Sequence, residues 1–329
     1  MDTSDQKEIT LHRSDRSIKD YLLILLKGLC MGAADVVPGV SGGTIAFLTG
    51  VYEEWLQWLK RCTPAVLLML KRDGIVKTWK YINGNFLLAL FGGILISLKT
   101  FASVVLIGME KYPILVWAFF SGLLATSVIH LLRGQRGWGK GEALGVVIGI
   151  AFVLTISLMA PAQLPGYGWM LFLGGFVAIC AMILPGISGS FILLLVGLYP
   201  VFLQAIHELD IVKLIWFGTG CICGLVVFSR FMLWLLNTYH TQTMSVSVGL
   251  LVGSLYVTWP WKEVLSTTIN SEGKEIVLQQ VSISPGYYAQ LTNNDPMILA
   301  ALACALAGVS LVLGLEFAAG WMKNKKRQS

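Results

Sequence analysis

The chain has 329 residues, of which 56% are hydrophobic and only 13% are charged, and its mean hydropathy is +0.73. Soluble domains carry roughly 25% charged residues, so the composition excludes an ordinary soluble domain and predicts an integral membrane protein. The net charge of +6 does not indicate a nucleic-acid partner, because the basic residues lie in short clusters between apolar segments, as topology signals do.

Apolar segments of about 20 residues, the length needed to cross a bilayer, predict an all-α protein with six single helices and two interrupted hairpins. The polar segment 1–17 comes first, and we expect no removable signal peptide after it. In chain order the predicted elements are a hairpin at 18–59, spans at 86–108 and 113–132, a linking helix at 143–160, a hairpin at 168–206, spans at 213–236 and 243–259, a polar insert at 260–296, a last helix at 297–320 and a basic tail at 321–329.

Positive charge predicts how these elements are oriented, since short cytoplasmic loops are rich in Lys and Arg. Basic residues crowd the connections at 60–80 and 133–140 and the C-terminal tail, whereas 161–168 carries no charge. With the basic connections in the cytoplasm, the first hairpin enters and leaves the membrane from that side, and the second does so from the outside. Both termini are then predicted to be cytoplasmic and the insert extracytoplasmic.

The two hairpins carry the same motif, P-G-x-S-G, 147 positions apart. A second similarity, 127 positions apart, aligns the spans that follow each hairpin, for example Gly93 with Gly220. We therefore predict two repeats, 18–132 and 168–259, each made of a re-entrant or broken hairpin and two spanning helices. The single linking helix inverts the second repeat, which is an architecture of secondary transporters. The motif matches are Pro38 with Pro185, Gly39 with Gly186, Ser41 with Ser188, and Gly42 with Gly189.

A helix broken at Pro-Gly inside a membrane exposes backbone N–H groups that lipid cannot satisfy, so the break must face protein or a watery cavity. The helix that restarts after each break would point its amides, and the positive end of its dipole, at that cavity. The alternative is that the small residues only allow the two hairpins to pack closely. The residues predicted to bind a phosphate or carboxylate are Ser41, Gly42, Gly43 and Thr44 in the first hairpin and Ser188, Gly189 and Ser190 in the second.

Three of the ionisable residues within predicted membrane segments are candidates for function, because charges in a membrane are expensive and usually functional. Lys99 and Arg230 fall at nearly equivalent positions of the two repeats, and we predict that they help to hold the phosphate. The alternative for Lys99 is that its side chain extends to the membrane interface. Asp35 has no acidic equivalent, since Met182 takes its place in the second repeat. Asp35 is predicted either to couple or tune transport through a proton, or to cap its hairpin or pair with one of the two cations.

No metal or cofactor is predicted. The six cysteines lie mostly inside apolar segments, where they are typical of small apolar residues and not of a disulfide framework. Cys221 and Cys223 are two positions apart on one predicted helix, which is a poor arrangement for a metal site.

The run MGAADVVPGVSGGTIAFLTGVYE at 31–53, with its second copy LPGISGSFILLLVGLY at 184–199, resembles the PopT family of bacterial polyprenyl-phosphate transporters, formerly a domain of unknown function. The resemblance implies a multi-pass protein of the bacterial cytoplasmic membrane. It also implies that the substrate is undecaprenyl phosphate, a carrier lipid that is returned across the membrane and recycled for cell-envelope synthesis, with a link to proton-motive force. The implied partners are this lipid and the bilayer, and a homo-oligomer is left open.

Two other classes are alternatives. A membrane enzyme similar to undecaprenyl-pyrophosphate phosphatases would need a nucleophile or base with cations around the phosphates, and neither motif has an Arg or His beside its Ser. An ion or small-anion carrier would use Asp35 as an ion ligand and polar residues along the whole pathway. The segments around the motifs are rich in Leu, Ile, Val and Phe instead, so we expect a lipid transporter and not an enzyme.

Overall fold

The computed structural model describes residues 16–35, 41–61, 64–134, 139–159, 164–269 and 275–327. The helices are α1 (Ile18–Asp35), α2 (Gly42–Leu48), α3 (Tyr52–Arg61), α4 (Pro64–Tyr81), α5 (Gly84–Lys111), α6 (Pro113–Gly134), α7 (Lys140–Leu158), α8 (Gly168–Ile183), α9 (Gly189–Leu195), α10 (Tyr199–His207), α11 (Ile211–Thr238), α12 (His240–Val257), α13 (Pro285–Thr292) and α14 (Ile298–Arg327). Two strands, β1 (Lys262–Ile269) and β2 (Glu275–Ser282), lie between α12 and α13.

Several of these helices suit a membrane. Pro113–Arg133 of α6, together with α7 and α11, is long and apolar enough to cross one. Within the described residues the number rises from three to five if two bent pairs, α4 with α5 and α9 with α10, each form one span. The prediction of a helical protein with several apolar helices is therefore confirmed.

The long helices pack as four pairs. Helix α1 lies along α5, and α8 lies along α11, so the first helix of each hairpin packs against the span that follows that hairpin. Helix α6 lies along α14, and α7 lies along α12. The helix predicted as a linker therefore packs on the second half of the chain, and the last helix packs on the first half.

Each hairpin contains three helices, because it is broken twice. A long first helix is followed by a seven-residue helix, α2 or α9, and then by α3 or α10. The second break in each hairpin contains a glycine with a positive φ, 71° at Gly50 and 73° at Gly197. Glycine adopts this left-handed conformation without steric cost. Helices α9 and α10 are bent by 108° at this break, so the second hairpin turns back sharply.

Close helix contacts recur at matching glycines of the two halves. A β-carbon on Gly28 would collide with the carbonyl of Leu90, and a β-carbon on Gly175 would collide with the carbonyl of Phe217. The two glycines are 147 positions apart and the two carbonyls 127 positions apart, which are the spacings of the sequence repeat. The α1–α5 and α8–α11 pairs thus share one mode of contact.

A similar correspondence links α7 with α14. A β-carbon on Gly122 would collide with the carbonyl of Ala305, and a β-carbon on the matching Gly249 would collide with the carbonyl of Val146. Ala305 and Val146 are 159 positions apart, on the helices predicted as the last helix and the linker. These two helices therefore occupy corresponding places, each packed on the other half of the chain.

The structure differs from the all-α prediction in the insert at 260–296. Strands β1 and β2 pair antiparallel there, with Lys262 opposite Ser282. Both strands are rich in Val, Ile and Thr, whose branched side chains favour strands. The basic connection at 60–80 also contains a helix, α4, because its residues include the good helix formers Ala, Leu, Met and Lys.

We predict that Gly220→Ala lowers the thermal unfolding midpoint of the detergent-purified protein by several degrees. The added β-carbon would collide with the carbonyl of Phe172 in the α8–α11 contact, and overpacking of such a contact costs about 1–3 kcal/mol. Gly218→Ala is the matched control, because it lies on the same helix and its β-carbon would meet nothing within 4 Å. Equal midpoints for the two variants would contradict this packing.

Candidate functional site

The two hairpins contact each other through their broken ends. The Ser41 hydroxyl donates a hydrogen bond of 3.2 Å to the carbonyl oxygen of Met182. The Tyr52 hydroxyl donates one of 2.8 Å to the carbonyl oxygen of Ile183. Both carbonyls lie at the end of α8, where a helix leaves carbonyl groups without intrahelical partners. Ser41 and Tyr52 are buried, so the first hairpin satisfies the end of α8 away from water.

The break after α8 is held from two sides at Gly186. The backbone N–H of Gly186 donates a hydrogen bond of 2.8 Å to Thr44 Oγ1 in the first hairpin. The carbonyl oxygen of Gly186 accepts one of 2.6 Å from Ser254 Oγ on α12. Its φ of 93° lies in the region that favours glycine. Both backbone polar groups of Gly186 are thus satisfied by side chains from other elements.

The break in the first hairpin is closed by its own residues. Asp35 ends α1, and its Oδ1 accepts a hydrogen bond of 2.6 Å from the backbone N–H of Gly42. Ser41 is the N-cap of α2, and its Oγ accepts a hydrogen bond of 3.1 Å from the N–H of Gly43. The amides predicted to meet an anion therefore already have acceptors, one of which is a carboxylate. Of the alternatives for Asp35, the structure shows the hairpin cap.

The second hairpin lacks this carboxylate. Met182 stands where the repeat places Asp35, and its side chain lies against Gly189 at the start of α9. Helix α9 has no side-chain cap, and the hydroxyls of Ser188 and Ser190 are 2.8 Å apart and bonded to each other. The two predicted phosphate-binding segments therefore differ in charge, although their sequences match.

A small cleft opens beside Ser188. Its wall is mostly apolar and comes from α7, from α12 and from the hairpin itself. Because Ser188 is the polar group at one edge of an apolar surface, the cleft suits a ligand with a polar head and an apolar body. The lining residues are Val153, Ile156, Gly186, Ile187, Ser188, Phe191 and Val257.

The two cations predicted to join the site are placed elsewhere. Lys99 on α5 and Arg230 on α11 are both exposed. In the part of the chain that the structure describes, neither has a hydrogen bond or an ion pair, with Asp35 or with any hairpin hydroxyl. Their contact with a phosphate stays a prediction. It would require a bound substrate that bridges Lys99 and Arg230 to the hairpins.

The remaining predicted site residues are at the two Pro-Gly breaks. Pro185 and Gly186 form the turn after α8. Pro38 and Gly39 lie outside the described residues. Across the residues that are described, no group of three His, Cys, Asp or Glu could hold a metal ion.

Two residues of this contact, Tyr52 and Ser254, were not predicted as site residues from the sequence. Both belong to positions that match across the repeat, Tyr52 with Tyr199 and Ser254 with Ser127. That match was the available signal. The match alone does not show which of two equivalent residues makes such a hydrogen bond, because the two halves use equivalent residues differently.

Two known transporters resemble the chain along most of its length. A family described as undecaprenyl phosphate translocase-like matches residues 31–276. A polyprenyl-phosphate transporter of Vibrio cholerae is 44% identical over 297 residues, which cover 90% of this chain and 96% of that protein. A polyprenyl-phosphate transporter of Staphylococcus aureus is 29% identical over 256 residues, which cover 72% and 85%. No solved structure matches the chain.

We predict that Tyr52→Phe lowers the thermal unfolding midpoint, because it leaves the Ile183 carbonyl without its buried donor. An unsatisfied buried group costs about 1–3 kcal/mol. Tyr199→Phe is the matched control, since Tyr199 is the repeat equivalent and is only half-buried. A Tyr52→Phe midpoint no lower than that of Tyr199→Phe would contradict the role of this bond.

Proposed function

The chain belongs to the undecaprenyl phosphate translocase-like family, and we propose that it transports polyprenyl phosphate across a membrane. The observation that carries this proposal is the 44% identity to a polyprenyl-phosphate transporter along 90% of the chain. The family match at residues 31–276 includes both P-G-x-S-G motifs. The family membership predicted from the two P-G-x-S-G runs is confirmed by the family match.

We propose further that the substrate is undecaprenyl phosphate and that it is returned across the bacterial cytoplasmic membrane for reuse. In this account both termini are cytoplasmic and the β1–β2 insert is outside, as the basic connections suggest. Proton-motive force would drive the return, with Asp35 as the coupling or tuning group. Asp35 is chosen because its carboxylate accepts the hydrogen bond of the Gly42 amide, beside the hairpin contact.

The two halves are proposed to be inverted repeats. The recurring glycine contacts support this, because the α1–α5 and α8–α11 pairs match at the sequence spacings. The matching of α7 with α14 gives each half three proposed crossings besides its hairpin, α5, α6 and α7 in the first half and α11, α12 and α14 in the second. An odd number of crossings reverses the direction of the second half, so inversion needs no separate linker. Inverted repeats place the substrate near the midplane, between the halves.

The hairpin contact is proposed as the gate that alternates between the two sides. The Gly42 amide is bonded to a carboxylate in this state, and a phosphate monoester offers the same kind of acceptor oxygen with more charge. Exchange of the Asp35 carboxylate for the phosphate would open the break in the first hairpin, and phosphate contacts to Ser41 and Thr44 would replace their bonds to the second hairpin. Ser41, Gly43 and Thr44 would complete the phosphate contacts in the first hairpin, and Ser188, Gly189 and Ser190 those in the second. Lys99 and Arg230 would approach only with the substrate bound.

The apolar cleft beside Ser188 favours a lipid substrate over a small anion. A polyprenyl chain needs an apolar surface or lipid along its length, whereas an inorganic anion gains nothing from side chains such as Phe191 and Val257. Transport also requires no covalent step, so the serines need only donate hydrogen bonds.

We predict that Arg230→Ala slows transport of undecaprenyl phosphate about tenfold or more, since a lost charge-assisted hydrogen bond is worth about 1.5–3 kcal/mol. The measurement is leaflet-resolved transport in proteoliposomes, with and without a pH gradient, alongside Ser41→Ala/Ser188→Ala. Arg72→Ala is the control, because Arg72 is highly exposed and bonds to its neighbour Asp73.

Two results would overturn the proposal. One is that the wild type moves no undecaprenyl phosphate in either direction. The other is that the wild type releases phosphate from added undecaprenyl pyrophosphate, which would make the protein an enzyme. Equal rates for Arg230→Ala and Arg72→Ala would remove Arg230 from the site and leave the transport function standing.

A further inference from the structure

Lys262 points its ammonium group into the protein. It is the first residue of β1, soon after α12 ends, and its Nζ lies 3.2 Å from the ring centroid of Trp117 on α6. Nζ is buried and has no hydrogen-bond partner, although the residue as a whole is only partly buried. A lysine at the edge of a protein normally buries its stem and keeps its ammonium in water. Lys262 does the reverse.

This arrangement is costly unless an anion completes it. Burial lowers the pKa of Lys262 well below the usual value of a lysine. Attraction to an aromatic ring offsets only part of the cost of removing an ammonium group from water. Trp117 belongs to the main apolar core, and no described carboxylate forms an ion pair with Lys262. Among the residues that the structure describes, none supplies the negative partner of this ammonium group.

Lys262 also lies at the end of a line of polar contacts that leads to the hairpins. Four residues before Lys262, the carbonyl of Thr258, which caps the end of α12, accepts a hydrogen bond of 2.7 Å from the Ser121 hydroxyl on α6. One further turn inward, Ser254 donates to Gly186 in the second hairpin. Thr258 and Ser254 are buried. Hydrogen bonds among α6, α12 and the second hairpin therefore lead from Thr258, four residues before Lys262, to the proposed gate.

We propose that the Lys262 ammonium, facing Trp117, is a binding position for the phosphate group of a phosphate monoester at the outer end of this line. The proposal rests on the proposed transport function. It makes Lys262 the first group of the chain to meet the headgroup on the insert side, before that headgroup reaches the hairpins. Trp117 then forms the apolar wall on one side of the ammonium group.

The test compares three lysine variants of the full-length protein in lipid nanodiscs. Lys262→Met keeps the length and apolar stem of the side chain but removes the charge, and Lys262→Arg keeps the charge. Lys213→Met is the matched control, because Lys213 pairs with Asp210 at 3.1 Å and is partly exposed. Each protein is titrated with farnesyl phosphate, with the neutral alcohol farnesol, and with inorganic phosphate, and its thermal unfolding midpoint is recorded without ligand.

We expect Lys262→Met to weaken farnesyl phosphate binding about tenfold or more, while Lys262→Arg stays within about threefold of wild type. Lys213→Met should bind as wild type does, and farnesol binding should be equal in all four proteins. The unliganded Lys262→Met should unfold at the same temperature as wild type or higher, because an unpaired buried charge has been removed. Competition by inorganic phosphate would show that the headgroup alone is recognised at this position.

Three outcomes would overturn the assignment. Equal farnesyl phosphate affinity of Lys262→Met and wild type would remove Lys262 from the path and leave the proposed function intact. A lower unfolding midpoint with equal losses for farnesyl phosphate and farnesol would make Lys262 a structural residue. A wild type that binds farnesol and farnesyl phosphate equally would contradict phosphate recognition altogether, and the proposed function with it.

Discussion

The need to satisfy backbone groups at helix breaks governs this structure. A broken helix inside a membrane leaves N–H and carbonyl groups that lipid cannot bond, so each break must find its partners in protein. Here the partners come from five side chains, four of them in the first hairpin. Each bonds to backbone at a break or at the end of α8. The five are Asp35, Ser41, Thr44, Tyr52 and Ser254.

The same constraint couples the two hairpins. Thr44 and Tyr52 bond to backbone at and beside the break after α8 in the second hairpin. Neither hairpin can therefore move away without leaving polar groups unsatisfied. A movement that opens the contact therefore requires substitute partners, which a phosphate and the water that accompanies it can supply. In the proposed mechanism this requirement ties the opening of the gate to the presence of the substrate. The asymmetry between Asp35 and Met182 would then give the two directions of transport different proton requirements.

Much of this arrangement could be predicted from the sequence. The P-G-x-S-G repeat located both hairpins, and the hairpin-cap alternative for Asp35 matches its bond to Gly42. The pairing of α7 with α12 and of α14 with α6 could not be predicted, since it depends on glycine contacts between helices distant in the chain. The β1–β2 strands were missed because a polar insert of mixed composition carries no strong periodic signal. Lys262 was missed for a related reason, because the direction of a lysine side chain is set by its surroundings and not by its neighbours in sequence.

The most direct test of the account is to lock the hairpins together. Cysteines would replace Ser41 and Met182 in a variant without the six native cysteines. These positions are close, because the Ser41 hydroxyl lies 3.2 Å from the backbone carbonyl oxygen of Met182. A short reducible thiol cross-linker would join them, and transport of undecaprenyl phosphate in proteoliposomes would be measured before cross-linking, after it, and after reduction. The account predicts that cross-linking stops transport and that reduction restores it. Transport at an unchanged rate in the cross-linked protein would contradict the claim that the hairpin contact must open.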